Sequence, residues 1–234
     1  MTLASKTGER RAEEKAAAAA RRELSVFINC PFDGMYSKSL DAIFFTIICC
    51  GYEPRSAIDT DATSEFRMER IVDALRASRL SIHDLSRIYG EGAANTARMN
   101  MPLELGIAMA MKLSFKKGES KRPHDWTALV PNGAPYHLAV SDLNGHDLKP
   151  YQGEQGLVSL VMLWLVTRKD GPRAQFQPTD ITKALPGFQS AMESRREGWK
   201  GADVPWEQMI EEAKQIALKN GLRTSGYRQA DFGA

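Results

Sequence analysis

Glu104 is the carboxylate whose sequence context most favours chemistry. It lies among small and apolar residues in the segment MPLELGIAMAMK, residues 101–112. The pattern predicts a helix from about Met101, with Glu104 in its first turn, where an acidic side chain also complements the helix dipole. Because the rest of the helix is apolar, we expect burial on several faces and a close backbone approach at Gly106. A carboxylate at the edge of a core favours a role in a site.

Two more polar segments follow apolar runs directly. The run LSVFIN, residues 24–29, leads into the loop CPFDGMY, and the run RLSIH, residues 79–83, leads into Asp84, Ser86 and Arg87. Both runs have the composition of buried parallel strands. Ligands bind outside the carboxyl ends of such strands, where the strand order reverses. If the two strands are neighbours, both loops and the start of the glutamate-bearing helix meet at one site.

Most of these side chains also have a structural interpretation. The PFDG loop at residues 31–34 is either an ordinary tight turn or a ligand loop. In a ligand loop, Phe32 or Tyr36 would stack on a base or nicotinamide ring while backbone N–H groups meet phosphate. Asp84 and Ser86 either cap the following segment or bind the ligand.

Basic residues near the same loops give weaker indications. His83 is expected to be a core strand residue with a hydrogen-bonded ring rather than a catalytic base. Arg87 and Arg98 flank a loop and could pair with phosphate. The chain contains no GxGxxG and no GxxxxGK[ST] segment, so neither a standard dinucleotide fingerprint nor a P-loop is present.

Cysteine and histidine spacing argues against a disulfide framework and a zinc centre. The three cysteines are an odd number and two of them are adjacent, while no CxxC or HxxxH spacing occurs. We therefore expect a reducing, cytoplasmic location, no metal and no required cofactor. The residues concerned are Cys30, Cys49, Cys50, His83, His124, His137 and His146.

Composition excludes further classes. The 234 residues carry 31 basic and 29 acidic side chains, and a net charge of +2 gives no field that favours nucleic acid or an anionic membrane. The longest apolar runs, at residues 42–50 and 157–166, are about half of what a bilayer requires. Residues 1–23 lack the hydrophobic centre of a signal peptide. We expect neither a membrane nor a nucleic-acid partner.

Alternating apolar periodicities predict an α/β fold with an open parallel sheet, that is, a flavodoxin-like or TIR-like three-layer domain. Residues 5–22 read as an exposed helix, or as a docking helix for a partner or a second copy. The C-terminal helices either cap the sheet or form a small subdomain. We divide the chain into residues 1–23, 24–170 and 171–234. Strands are predicted at residues 24–29, 52–56, 79–83, 127–130 and 136–140.

Three segments resemble a known superfamily. SVFINCPFD (25–33), RLSIHDLSR (79–87) and NMPLELG (100–106) are similar to segments of the nucleoside 2-deoxyribosyltransferases and of bacterial TIR-like proteins, many of which cleave NAD at its nicotinamide glycosidic bond. The resemblance covers residues 24 to about 140, with the helix at residues 157–167 as a further candidate, and it does not extend to the N-terminal helix or to residues 175–234. The lead-in ARMNMP departs from the Asp-Ser-Gly-Thr of the transferases, and the aromatic residues that many TIR enzymes place near their glutamate are missing.

The resemblance implies N-glycosidic cleavage of NAD or a related nucleotide, with no cofactor required. Glu104 would stabilise or capture the oxocarbenium-like sugar, and Asp84 would hold ribose hydroxyls or assist the leaving base. Two alternatives are a non-catalytic nucleotide sensor and a self-associating interaction module. The family also implies homo-oligomers, partner proteins at the terminal helices and defence or signalling roles. The candidate ligand-binding residues are Asn29, Cys30, Pro31, Phe32, Asp33, Tyr36, Ser86, Arg87, Arg98 and Asn100.

Overall fold

The computed structural model describes residues 3–58, 66–89, 97–116, 122–200 and 203–222, with side chains from residue 10 onward. Strands and helices alternate as far as β4, and helices dominate the remainder. The elements are α1 Leu3–Leu24, β1 Ser25–Asn29, α2 Ser37–Cys49, β2 Glu53–Arg55, α3 Arg67–Arg76, β3 Leu80–Asp84, α4 Asn100–Leu113, β4 Asp125–Pro131, α5 Tyr136–Ala139, a 3-10 turn Ser141–Gly145, β5 Pro150–Tyr151, α6 Gly153–Val166, α7 Pro178–Gly198 and α8 Trp206–Lys219.

The five strands form one open sheet in the order β2-β1-β3-β4-β5, and every neighbouring pair is parallel. The predicted α/β class is therefore confirmed. The chain places β2 on one side of β1 and β3 on the other, so the strand order reverses between β1 and β3. At this point Asn29 lies opposite His83, and the carboxyl ends of both strands face the same edge.

One face of the sheet is covered by α2 and α6, and the other by α3 and α4. Helix α2 is apolar around nearly its whole circumference because α7 and α8 pack on its outer side. Phe188 stacks on Phe44 and Phe45, with ring centroids 6.0 and 5.1 Å away. The C-terminal helices thus share the main core and cap α2 rather than the sheet directly.

The strand predicted at residues 136–140 is wrong. Tyr136–Ala139 is a short helix that follows Pro135, whose ring fixes a backbone angle compatible with a helix start. The edge position beside β4 is taken instead by Pro150–Tyr151. No helix in the described part of the chain is long and apolar enough to cross a bilayer.

Helix α1 meets the rest of the molecule at its C-terminal end. The Arg79 amide donates to the Arg22 carbonyl at 3.0 Å, and the Arg21 guanidinium pairs with Glu53 at 2.5 Å. Residues 10–21 are exposed along the helix. The predicted exposed N-terminal helix is therefore present, and it is attached near the amino edge of the sheet.

Candidate functional site

The two predicted catalytic carboxylates lie around one buried thiol at the carboxyl edge. Cys30 directly follows β1 and is 4% exposed. Burial raises the pKa of the Cys30 thiol, and the negative charges of Asp84 and Glu104 raise it further. The structure thus brings Cys30, Asp84 and Glu104 close enough to interact electrostatically.

Glu104 is a buried carboxylate that titrates near neutrality. It is 4% exposed, and burial raises its pKa to about 7, against the opposing effects of the Arg67 charge and a hydrogen bond with Asn100. Helix α4 begins at Asn100, so Glu104 lies in the second turn and not the first. A favourable interaction with the first-turn dipole therefore does not account for this side chain.

Helix α4 is buried on one face only, which corrects the expectation of burial on several faces. Glu104 shares the sheet-facing side with Met101, Leu105 and Ala108 at helical spacing. On the outer side, Leu103 is 56% exposed, and a Cβ built on Gly106 would meet no atom within 4 Å. The predicted close backbone approach at Gly106 is wrong. Glu104 is the polar member of an otherwise apolar buried face.

Asp84 is fully enclosed at the end of β3. Its carboxylate accepts hydrogen bonds from the Ser86 amide at 2.9 Å, from the Ser86 hydroxyl, and from the Tyr151 hydroxyl at 3.2 Å. Burial raises the pKa of Asp84, while these hydrogen bonds lower it. Asp84 therefore caps its own turn and also fixes two hydroxyl groups at this edge.

Tyr36 adds an incompletely satisfied hydroxyl beside Asp84. Its ring is 5% exposed and packs in the main core, so the ring offers no surface for stacking. Burial raises the pKa of the Tyr36 hydroxyl, and so does the neighbouring charge of Asp84. Among the described residues, no partner meets the geometry of a good hydrogen bond with this buried hydroxyl, although Asp84 lies close enough to accept a weak one, which lowers the pKa of Asp84.

The two arginines predicted to bind phosphate are already paired with a carboxylate. Asp33 lies 3.4 Å from the Arg87 guanidinium and 3.0 Å from that of Arg98. Asp33 also accepts a hydrogen bond from the Tyr36 amide at 3.1 Å. These contacts link the loop after β1 to the loop after β3. A phosphate would have to compete with Asp33 for both arginines.

A cavity of about 310 Å³ separates the loop after β1 from α8. Pro31 is buried at the start of this loop, and Phe32 is half-buried with its ring against the core. The cavity lining is largely apolar, with aromatic rings from both sides. Its apolar members are Phe32, Leu40, Ile58, Val204, Trp206 and Met209.

Asn29 is 3% exposed, and its amide nitrogen lies 2.9 Å from His83 Nδ1 and 3.0 Å from the Met101 carbonyl. His83 is fully buried and hydrogen-bonded, which confirms its predicted core position. No sequence pattern pointed to Tyr151, because it lies in a strand of two residues and its hydroxyl donates to Asp84, 67 positions earlier in the chain.

Neither a metal cluster nor a known relative accounts for the site. Within the described ranges, no group of three or more His, Cys, Asp or Glu side chains could hold a metal ion. No family model, characterised protein or solved structure matches this chain. What the fold and the edge define is an open α/β domain with two buried carboxylates at its strand switch point.

Proposed function

We propose that this protein cleaves the N-glycosidic bond of a nucleotide, with NAD or a related nucleotide as substrate. The observation that carries the proposal is Glu104, a carboxylate only 4% exposed on the helix beside the strand switch point, whose pKa burial raises to about 7 so that it is partly ionised at neutral pH. Strongly shifted carboxyl groups beside a second buried acid are typical of catalytic sites. The resemblance of residues 25–33, 79–87 and 100–106 to nucleotide-cleaving proteins supplies the reaction class.

The reaction breaks the bond between the anomeric carbon and the base nitrogen. The bonding electron pair leaves with the base, and the sugar carbon becomes cationic, so an ionised carboxylate below the ring stabilises or captures it. Water then adds to the sugar carbon, forming a C–O bond, and gives up one proton to the Glu104 carboxylate or to solvent. With NAD, the nicotinamide ring is positively charged before cleavage and departs as a neutral base. No strong general acid is then needed, which suits an edge where His83 is enclosed.

A cationic substrate would also complete the ionisation of Glu104. In the free protein, burial opposes the charged carboxylate, and only Arg67 and Asn100 offset that effect. A positively charged ring beside Glu104 would favour the ionised form and lower its pKa. Substrate binding and activation of the carboxylate are therefore linked.

The other residues of the edge have supporting roles. Asp84 accepts the hydroxyl hydrogens of Ser86 and Tyr151, which leaves both hydroxyl oxygens able to accept hydrogen bonds from sugar hydroxyls. The Tyr36 hydroxyl offers another group for a polar ligand. The cavity beside Phe32 has no assigned role, because neither Glu104 nor Asp84 lines it and its lining also includes the charged residues Asp33, Arg196 and Asp203.

The test is release of free base from NAD and from a nucleoside panel, followed by chromatography. Glu104→Gln keeps the shape of the side chain and removes its charge, so we expect turnover to fall at least a thousandfold with the fold unchanged. Glu193→Gln makes the same chemical change on an exposed part of α7 and should retain full activity. A folded Glu104→Gln variant with normal turnover would remove Glu104 from the mechanism.

A nucleotide sensor is the second candidate, and the pairing of Asp33 with two arginines favours it. A bound phosphate would take Arg87 and Arg98 from Asp33 and release the contact between the two loops. Ligand binding would thereby change the edge without any bond being cut. Saturable binding of NAD with no product from any substrate would select this function over hydrolysis.

A further inference from the structure

A line of buried hydrogen bonds crosses the sheet from its carboxyl edge to its amino edge. It runs along β3 on the face that packs against α3 and α4, and every side chain in it is less than 5% exposed. Its links are Asn29 Nδ2 to His83 Nδ1 at 2.9 Å, His83 Nε2 to Ser81 Oγ at 2.8 Å, Ser81 Oγ to His124 Nε2 at 2.8 Å, and His124 Nδ1 to the Ser78 carbonyl at 3.0 Å.

We call this chain of hydrogen bonds from Asn29 through His83, Ser81 and His124 to the Ser78 carbonyl the relay. Its two ends determine the direction of every hydrogen bond in it. The Asn29 amide group lies 3.0 Å from the Met101 carbonyl, which can only accept, so the atom there is the nitrogen. The same nitrogen donates to His83 Nδ1, and His83 must therefore carry its proton on Nε2 and donate to Ser81.

The other end gives a consistent answer. The Ser78 carbonyl can only accept, so His124 carries its proton on Nδ1. His124 Nε2 is then an acceptor for the Ser81 hydroxyl. Burial lowers the pKa of His83 to about 3 and that of His124 to about 4, which keeps both rings neutral at neutral pH. One arrangement of protons satisfies the whole relay.

In this arrangement Asn29 donates both of its amide hydrogens within the protein, and its amide oxygen is available to accept from another group. One hydrogen goes to His83 and the other to the Met101 carbonyl in the first turn of α4. Among the described residues, none donates to Asn29 Oδ1. Both donor hydrogens of the amide group are satisfied within the protein, so the amide plane is held in place by two buried hydrogen bonds.

We propose that Asn29 Oδ1 accepts a hydrogen bond from a sugar hydroxyl of the ligand, and that the relay through His83, Ser81 and His124 positions it. Asn29 lies at the strand switch point, one residue before Cys30 and against the helix that carries Glu104. An amide oxygen can only accept, so it selects an O–H or N–H donor and does not bind an ionised phosphate oxygen; the position at the strand switch point, beside the helix that carries Glu104, favours the sugar hydroxyl. Naming the donor as a ribose hydroxyl rests on the proposed function.

The first arm of the test reads the relay without any activity. Nitrogen NMR of the histidine rings at pH 7 should show His83 protonated on Nε2 alone and His124 on Nδ1 alone. Either ring in the opposite tautomer, or positively charged, would overturn the assigned directions.

The second arm measures ligand binding by calorimetry in Glu104→Gln protein, in which turnover does not consume the ligand. The probes are nicotinamide riboside and its 2′-deoxy and 3′-deoxy counterparts. Loss of the contacted hydroxyl should weaken binding about tenfold. Adding Asn29→Ala should reduce this discrimination to nearly one, and adding Ser81→Ala should reduce it to about threefold.

Ser25→Ala is the matched control, because it removes a buried hydroxyl that donates to the Arg21 carbonyl and that takes no part in the relay. It should keep the full discrimination. Equal effects of Ser81→Ala and Ser25→Ala would overturn the positioning role. Equal binding of all three probes, or binding of none, would overturn the hydroxyl contact. Discrimination by the Glu104→Gln protein, together with no base release by the wild type, would uphold Asn29 while rejecting the hydrolase.

Discussion

Glu104→Gln is expected to stabilise the protein, and more so at higher pH. In the unfolded chain this carboxyl has its ordinary pKa of 4.5, whereas burial raises the pKa to about 7 in the fold. Between these values the folded state keeps a proton that the unfolded state has lost. The free energy of unfolding therefore falls as the pH rises through this window, and the loss is complete above pH 7.

The size of the effect follows from the shift. A carboxyl that is displaced from 4.5 to about 7 lowers the free energy of unfolding by about 3 kcal/mol at pH 8 and by about 1 kcal/mol at pH 5. A neutral glutamine removes this penalty. The stabilisation by Glu104→Gln should thus be larger by about 2 kcal/mol at pH 8 than at pH 5. Any effect of the substitution on packing contributes equally to the free energy of unfolding at both pH values, so it cancels when the two stabilisations are subtracted.

Urea unfolding at the two pH values measures this difference directly. Glu193→Gln, on an exposed part of α7, should show no such dependence on pH. A Glu104→Gln variant that is equally or less stabilised at pH 8 would refute the raised pKa and the reasoning built on it. A variant that is both more stable and inactive would show a carboxylate kept for function at a cost in stability.

Three further predictions test the site, the packing and the assembly. The value of kcat/KM for NAD should fall as the pH drops below about 7, since Glu104 must be ionised; a flat profile from pH 5 to 8 would contradict its role. Arg196→Ala leaves the buried Asp41 without its cation and should cost about 3 kcal/mol in thermal or urea unfolding. Arg195→Ala, which breaks a more exposed pair with Glu212, should cost under about 1 kcal/mol. If α1 builds an oligomer, removal of residues 1–18, before the attached end of α1, should lower the number of copies per particle found by light scattering. An unchanged number of copies would exclude that role.

The sheet could be predicted because its signals are local. The strands β1 and β3 are short runs with apolar residues at their centres, and each leads into a polar loop, which is a pattern of buried parallel strands. The fifth strand could not, since Pro150–Tyr151 is too short to have a periodicity. Residues 136–140 carry strand-forming side chains, but a helix start at Pro135 prevails there.

The sequence predicts which candidate residues lie at the carboxyl edge of the sheet, but not which side chains they contact there. Placing Glu104, Asp84 and Cys30 at one edge follows from the strand order. The pairing of Asp33 with Arg98 and the bond from Tyr151 to Asp84 join residues far apart in the chain. Side-chain partners of this kind depend on loop conformation, which no local pattern specifies. The burial of α4 was overestimated because an apolar composition does not determine how many faces of a helix pack against other elements.

Release of nicotinamide from NAD tests directly whether Glu104 is a catalytic carboxylate. Purified protein at high concentration is incubated with NAD, and free nicotinamide is measured by chromatography beside Glu104→Gln and Glu193→Gln. We expect release of nicotinamide by the wild type and by Glu193→Gln, and none above background by Glu104→Gln. Equal release from all three proteins, or release from none with NAD shown to bind, would contradict the assignment of Glu104 as a catalytic carboxylate.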